Sequence, residues 1–258
     1  GLGDVYKRQG KDAFMLGINA VLLNSPKDAA RFFTRAQAAF ERQDRKDNAL
    51  FWLYLLSNDR SYLEKLNQSR DVNIYTLYAN ELTGVSPAAN IVSPTPTKEK
   101  VADYDIKDPF LWQKTFKMIK EMSAQDAAKH SETFNTKETL GQYAYLMEKA
   151  SGYKDSYFVM PFADELEDVN ATRKALLYAI GRQESRFIPA VISTSYALGM
   201  MQFMPFLANH IGKKELAIPN FDQDDMFNPR LALKFADHHL NYLEKYLYHP
   251  LFVAYAYN

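Results

Sequence analysis

Ala179-Ile180-Gly181-Arg182-Gln183-Glu184-Ser185-Arg186-Phe187 is the stretch on which the reading of this chain turns, with Ala197-Leu198-Gly199-Met200-Met201-Gln202-Phe203-Met204-Pro205 close behind it. Just upstream, Leu176, Leu177 and Ile180 recur at helical spacing and mark the apolar stripe of a helix. Glu184 falls four residues after Ile180, on that same stripe. A carboxylate placed there faces the core, and desolvation raises its pKa toward the range a general acid needs near neutral pH. From position alone the commoner meaning is plainer: a Glu on a helix's last turn, paired with Arg182 or Arg186 or simply exposed.

Outward from this stretch the chain reads as helical nearly throughout. Asp12 to Leu23 puts Phe14, Leu16, Ile18, Val21 and Leu22 mostly on one side. Ser25-Pro26 breaks that helix and opens the next, which runs to about Arg42. Leu50 to Leu56 is dense in aromatics and Leu, Asp59 restarts a short helix, and Val72 to Leu82 forms another closed by Gly84. Short amphipathic helices joined by a few residues read as pairs stacked in a solenoid or superhelix, with a compact bundle as the alternative. Gly84 to Asp108, punctuated by Pro87, Pro94 and Pro96, loses the helical period and reads as a connection. Helices resume at Pro109, Ala124 and Lys137, at Asn170-Ala171-Thr172, near Pro205, and over Pro229 to Tyr248. Strand signal is almost absent. Phe187 to Ser195, with Pro189 inside it, reads as a loop or a very short hairpin.

Composition narrows the function classes. The 258 residues are 47% hydrophobic and 24% charged, and Lys plus Arg balances Asp plus Glu at zero net charge. This is globular composition without the basic excess or stripe of a nucleic-acid binder, so no nucleic acid is expected as partner. The chain has no cysteine, which removes disulfides, thiolate metal sites and a Cys nucleophile together. No apolar run approaches the roughly 18 residues of a membrane span. His238 and His239 are adjacent, so they point to different sides of a helix, and His249 lies beyond it. No pair has the helical spacing of a zinc motif, so neither metal nor cofactor is expected. Asp222, Asp224 and Asp225 read as a solvated loop and helix cap. Gly1 to Gln9 read as foreign to the natural coding sequence, and the chain stops at Asn258 inside an apolar segment, so both ends read as cut.

The motifs resemble those of the lytic transglycosylase family, whose fold is related to goose-type lysozyme. That family's first signature is a Glu-Ser pair followed by an aromatic, then a Pro or Ala, a Ser, a Gly-Ala step and Gly-Leu-Met-Gln-x-Met-Pro. Here Glu184-Ser185-Arg186-Phe187, Pro189, Ser193 and Ala197 to Pro205 match it in order. Phe227-Asn228-Pro229 ahead of a long helix matches the middle segment, and Ala256-Tyr257-Asn258 matches a later Ala-Tyr-Asn signature. Two positions depart. Met200 replaces the usual Leu, and Tyr196 stands where the family usually has Gly, which implies either a locally different loop or a shifted alignment. Upstream, the aromatic-rich helices and Asp71-Val72-Asn73-Ile74-Tyr75 are similar to the helical superhelix of the soluble members.

The resemblance implies an all-α chain. Residues 10–84 belong to a helical superhelix or solenoid, 85–108 to a connection, 109–168 to a helical linker domain, and 169–258 to a lysozyme-like α domain truncated at its C-terminus. It implies cleavage of the bond between N-acetylmuramic acid and N-acetylglucosamine in peptidoglycan, in the periplasm, by a monomer. Glu184 protonates the leaving oxygen and then deprotonates the sugar's own 6-hydroxyl, leaving a 1,6-anhydro end. Ser193, Gln202, Met204, Ala256, Tyr257 and Asn258 are implied to bind substrate, with Ser185, Gly199 and Met201 structural beside them. For Ser193 taken alone, turn formation is the better reading. The rival readings are a lysozyme-like hydrolase and a non-catalytic helical scaffold or peptidoglycan-binding protein.

Overall fold

The computed structural model describes the backbone of residues 2–258 and side chains from Gln9 onward. The expected foreign segment 1–9 falls almost entirely on residues whose side chains lie outside this description. Twelve α-helices among the described residues make the chain all-α, as the 3.6-residue periodicity predicts. The chain divides into two compact units: residues 1–91 with 154–156, and residues 92–153 with 157–258.

The first unit holds α1 (Leu2–Leu22), α2 (Pro26–Ala39), α3 (Gln43–Ser57), α4 (Ser61–Asn67) and α5 (Ile74–Thr83). Pro26 starts α2, and Gly84, at φ +71°, ends α5 in the left-handed region. Phe33 is fully buried, stacked on Trp52 at 5.4 Å and edge-on to Phe14 at 5.3 Å. One carboxylate lies in this core. Asp47, fully buried, accepts hydrogen bonds from Gln43, Ser69 and Asn73, each at 2.8 Å. Desolvation still pushes its pKa up. Asn73 also caps α5, accepting from the backbone of Tyr75 and Thr76.

The second unit carries α6 (Pro109–Glu121), α7 (Ala124–Ser131), α8 (Leu140–Ala150), α9 (Ala171–Ser185), α10 (Pro205–His210), α11 (Pro229–Leu243) and α12 (Pro250–Tyr257). Its buried cluster runs from Ile119 to Val253 and includes Leu146, Leu177, Phe203 and Phe235. Segments 109–168 and 169–258 therefore feed one core. Asp108, Ser123, Asn170 and Asn228 each cap the following helix with a side-chain oxygen. Asp222 opens a short 3₁₀ turn in a capping box with Asp225.

Two expectations are corrected. Residues 84–108 do carry a strand: β1 (Asn90–Val92) pairs with β2 (Asp155–Tyr157), and the division between the units falls inside this sheet. Three-residue strands are too short for a period-2 pattern to register. The long helix expected to reach Tyr248 stops at Leu243, where Tyr246 and Leu247 both donate to the Leu243 carbonyl and the chain tightens ahead of Pro250. No helix among the described residues is long and apolar enough to cross a membrane.

Candidate active site

The site lies wholly within the second unit and is built from the end of α9. Leu177 and Ile180 bury one face of this helix, and Glu184 follows on that face, half-buried. The helix then stops abruptly. Arg186 and Phe187 take successive left-handed conformations, φ +55° and +63°, although neither is Gly. Such strain persists only where surrounding contacts over-determine it. The Phe187 amide donates to the Gly181 carbonyl at 3.3 Å, closing the helix C-terminus, and the buried Phe187 ring folds back onto Gly181. A Cβ at Gly181 would stand 2.8 Å from that ring.

A second hold comes from α8. Glu148, buried, pairs with Arg186 and lies 3.7 Å from Arg182 across its other oxygen. The same carboxylate accepts the Tyr157 amide at 3.3 Å. The Arg182 guanidinium also lies over the Phe158 ring at 4.3 Å. Both arginines that flank Glu184 are thus engaged by Glu148. Among the described residues Glu184 has neither ion pair nor hydrogen-bond partner. Burial alone pushes its carboxyl up from the ordinary range.

The loop after α9 forms the opposite wall. Ser185 Oγ donates to the Met200 carbonyl at 2.7 Å and accepts the Ile188 amide at 3.2 Å, tying the helix end to the loop. Isolated bridges join Ile192 to Leu198 and Leu198 to Phe203. Gly199, at φ +75°, would place a Cβ 2.0 Å from the Met226 carbonyl oxygen, so both conformation and space require Gly. Gln202, itself at φ +52°, donates its amide to the Gly199 carbonyl at 2.8 Å. Ser193 Oγ accepts the Ala197 amide at 2.9 Å and closes a turn, while Tyr196 sits exposed at φ +68°. Tyr196 holds a conformation suited to Gly, so the loop keeps that backbone with a bulky residue in it.

Glu184, Ser193, Met201, Gln202, Met204, Tyr257 and Asn258 are brought together around one cleft of about 360 Å³. Tyr257, on α12, donates its hydroxyl to the Met201 carbonyl at 3.1 Å. Its pKa is pushed well up by desolvation first and by the Glu184 charge second. Ala256 is exposed and lies outside the lining; so do Ser185 and Gly199, which shape the wall from behind. Met200 and Met201 are core residues, although Met201 also reaches the cleft. A larger cleft of about 600 Å³ shares the same loop, lined by Trp112, Phe116, Tyr145 and Arg186. No carboxylate is among its described lining residues, so it offers no acid.

Two contributors escaped the sequence reading. Glu148 lies at helical spacing after the buried Leu140 and Ala144, the logic that marks Glu184. His239 lines the cleft from α11, on the stripe of Ala232, Phe235 and Ala236. Burial holds its imidazole below the usual range. Among the described residues, no group of His, Asp and Glu could hold a metal ion.

The family described as Transglycosylase SLT domain matches residues 162–258. No curated protein matches the chain. Among solved structures, the chain is similar to the 70 kDa soluble lytic transglycosylase from Escherichia coli, with a TM-score of 0.57 and 17% identity over 94% of this chain and 41% of that one. The complex of the 70-kDa enzyme with bulgecin A gives a TM-score of 0.57 at 18% identity, over 94% of this chain and 41% of that one. An inactive mutant of lytic transglycosylase Slt from Pseudomonas aeruginosa gives 0.58 at 15%, over 94% of this chain and 43% of that one. The chain thus spans about two-fifths of the length of these structures.

Proposed function

We propose, for a chain whose residues 162–258 match the family described as Transglycosylase SLT domain, that it cleaves the β-1,4 bond between N-acetylmuramic acid and N-acetylglucosamine in peptidoglycan, with Glu184 as acid and then base. The observation that carries this reading is the state of Glu184. It is half-buried, without an ion-pair or hydrogen-bond partner among the described residues, and its pKa is raised by desolvation. Such a carboxyl keeps its proton to a higher pH than an exposed Glu does and can deliver it to a leaving oxygen.

Most glycosidases flank the scissile bond with two carboxylates. Glu184 is the only carboxylate among the described residues that line this cleft. In this reading one group serves both steps. The Glu184 proton goes to the glycosidic oxygen as the C1–O bond breaks, and the substrate's N-acetyl group stabilises the charge developing at C1. The Glu184 carboxylate then takes the proton from the 6-hydroxyl of the same sugar as that oxygen bonds to C1. The product is a 1,6-anhydro end, no water is consumed, and Glu184 is restored to its acid form. Ser193, Gln202, Met204, Tyr257 and Asn258 line the space the sugars would occupy. All come from one chain, so a monomer suffices. Acting on peptidoglycan places the protein in the periplasm.

Digestion of peptidoglycan in oxygen-18 water separates this reaction from hydrolysis. Intramolecular attack leaves the new muramic ends free of heavy oxygen. Hydrolysis marks each with one such atom, about 2 Da heavier, and that result would replace the transglycosylase reading with a lysozyme-like one.

A further inference from the structure

The Glu184 cleft does not end at His239. On α11 and just beyond it, three rings follow one another. His239 lies parallel to Tyr242, with centroids 6.1 Å apart and 13° between planes. Tyr242 meets Tyr246 edge to face at 5.4 Å. The row starts at the cleft wall and runs outward, because His239 lines the cleft while Tyr242 and Tyr246 are 51% and 66% exposed. Behind the row, His239 is steadied by the Tyr257 ring at 5.6 Å and the Phe203 ring at 6.3 Å.

We propose that His239, Tyr242 and Tyr246 form a track that carries the glycan strand onward from the Glu184 cleft, holding sugar rings beyond the scissile bond. This rests on the reading of that cleft as the glycan-cleaving site. The chemistry of the row matches a sugar chain. The exposed tyrosine rings offer apolar surface to the C–H face of a pyranose, and each of the three rings carries a polar edge for a hydroxyl or N-acetyl group. Those edges are uncommitted: among the described residues, neither the His239 ring nitrogens nor the two tyrosine hydroxyls have a hydrogen-bond partner. Exposed aromatic rings in contact along a row mark a binding surface rather than scattered surface residues. Continuity with the cleft selects the occupant, since a strand held at Glu184 by its middle must leave past one of the cleft's walls. Of the lining aromatics, Phe203 is buried and Tyr257 is tied to the loop, so His239 is the one that opens onto further exposed rings.

The test titrates the Glu184→Gln chain with β-1,4-linked N-acetylglucosamine oligosaccharides of two lengths, a trimer and a hexamer, by calorimetry. The expected result is tighter binding of the hexamer, with that length-dependent gain reduced about tenfold when Tyr242→Ala and Tyr246→Ala are combined. Both side chains are more than half exposed, and an unchanged thermal melt shows that the double variant is folded. A hexamer-to-trimer ratio equal to that of the parent overturns the track and leaves the cleft standing. Failure of the parent to bind either length removes the glycan site itself, and the track with it.

Discussion

Arg186, two residues beyond Glu184, gives its guanidinium to Glu148 on α8. Glu148 is thereby neutralised in the core, and of the two carboxylates Glu184 is left without a partner among the described residues. The division of labour between two acids of the same type follows from which one the arginines can reach. Breaking the pair leaves a charged group stranded. Glu148→Leu is expected to lower unfolding stability by about 2 kcal/mol in urea titrations, below the full buried-pair figure because the Arg186 side chain is 40% exposed. Combining Glu148→Leu with Arg186→Leu should recover part of that loss. Equal or greater destabilisation in the double variant would assign the effect to packing instead.

Glu184 carries a stability cost that depends on pH. Its folded pKa is raised by desolvation, so its contribution to stability is complete below the unfolded carboxylate pKa and is lost as pH rises through the folded value. Glu184→Gln has no such titration. The variant should therefore melt at a higher temperature than the parent at neutral pH, with the difference closing as pH falls below the unfolded carboxylate pKa. A difference that is constant with pH would disconnect it from ionisation.

The loop wall depends on Gly199 and Ser185. Gly199→Ala meets the Met226 carbonyl and a φ of +75° at once, and about 3 kcal/mol of destabilisation is expected in denaturant unfolding. Ser185→Ala removes the bonds to Met200 and Ile188 and should cost about 1 to 2 kcal/mol. In both variants activity should fall because the loop that faces Glu184 is released. Full activity in Ser185→Ala would show that the loop holds its place without the helix end.

Tyr196 is a left-handed residue with a bulky side chain in an exposed turn. Replacing it by Gly relieves the backbone and is expected to stabilise the protein by about 1 kcal/mol. Loss of stability on Tyr196→Gly would mean that the ring makes contacts worth more than the strain.

The parts legible in the sequence are those that depend on near neighbours. Caps such as Asn170 and Asn228 are local, and the helices followed from them, whereas the stripe Leu177–Ile180–Glu184 left a core-facing Glu184 beside an exposed or arginine-paired one until the fold engaged both arginines elsewhere. What pairs with what is not local. Glu148 sits on its own stripe after Leu140 and Ala144, and nothing within α8 announces that its partners lie on the last turn of α9 and just past it. The pairing of β1 with β2 brings together Asn90 and Asp155, too far apart in the chain for any short window to register. His239 was visible as a helical neighbour of Phe235. Its exposure to the cleft depends on where α12 and the loop around Gln202 come to rest.

In the proposed reaction one carboxyl, Glu184, without an ion-pair or hydrogen-bond partner among the described residues, performs both proton transfers. Its most direct test is the mass of muropeptides released from peptidoglycan by the parent chain and by Glu184→Gln. Expected from the parent are products about 18 Da lighter than hydrolysed ones, one water withheld by intramolecular attack, and from the variant none. Anhydro products that persist at the parent's rate in Glu184→Gln would contradict it.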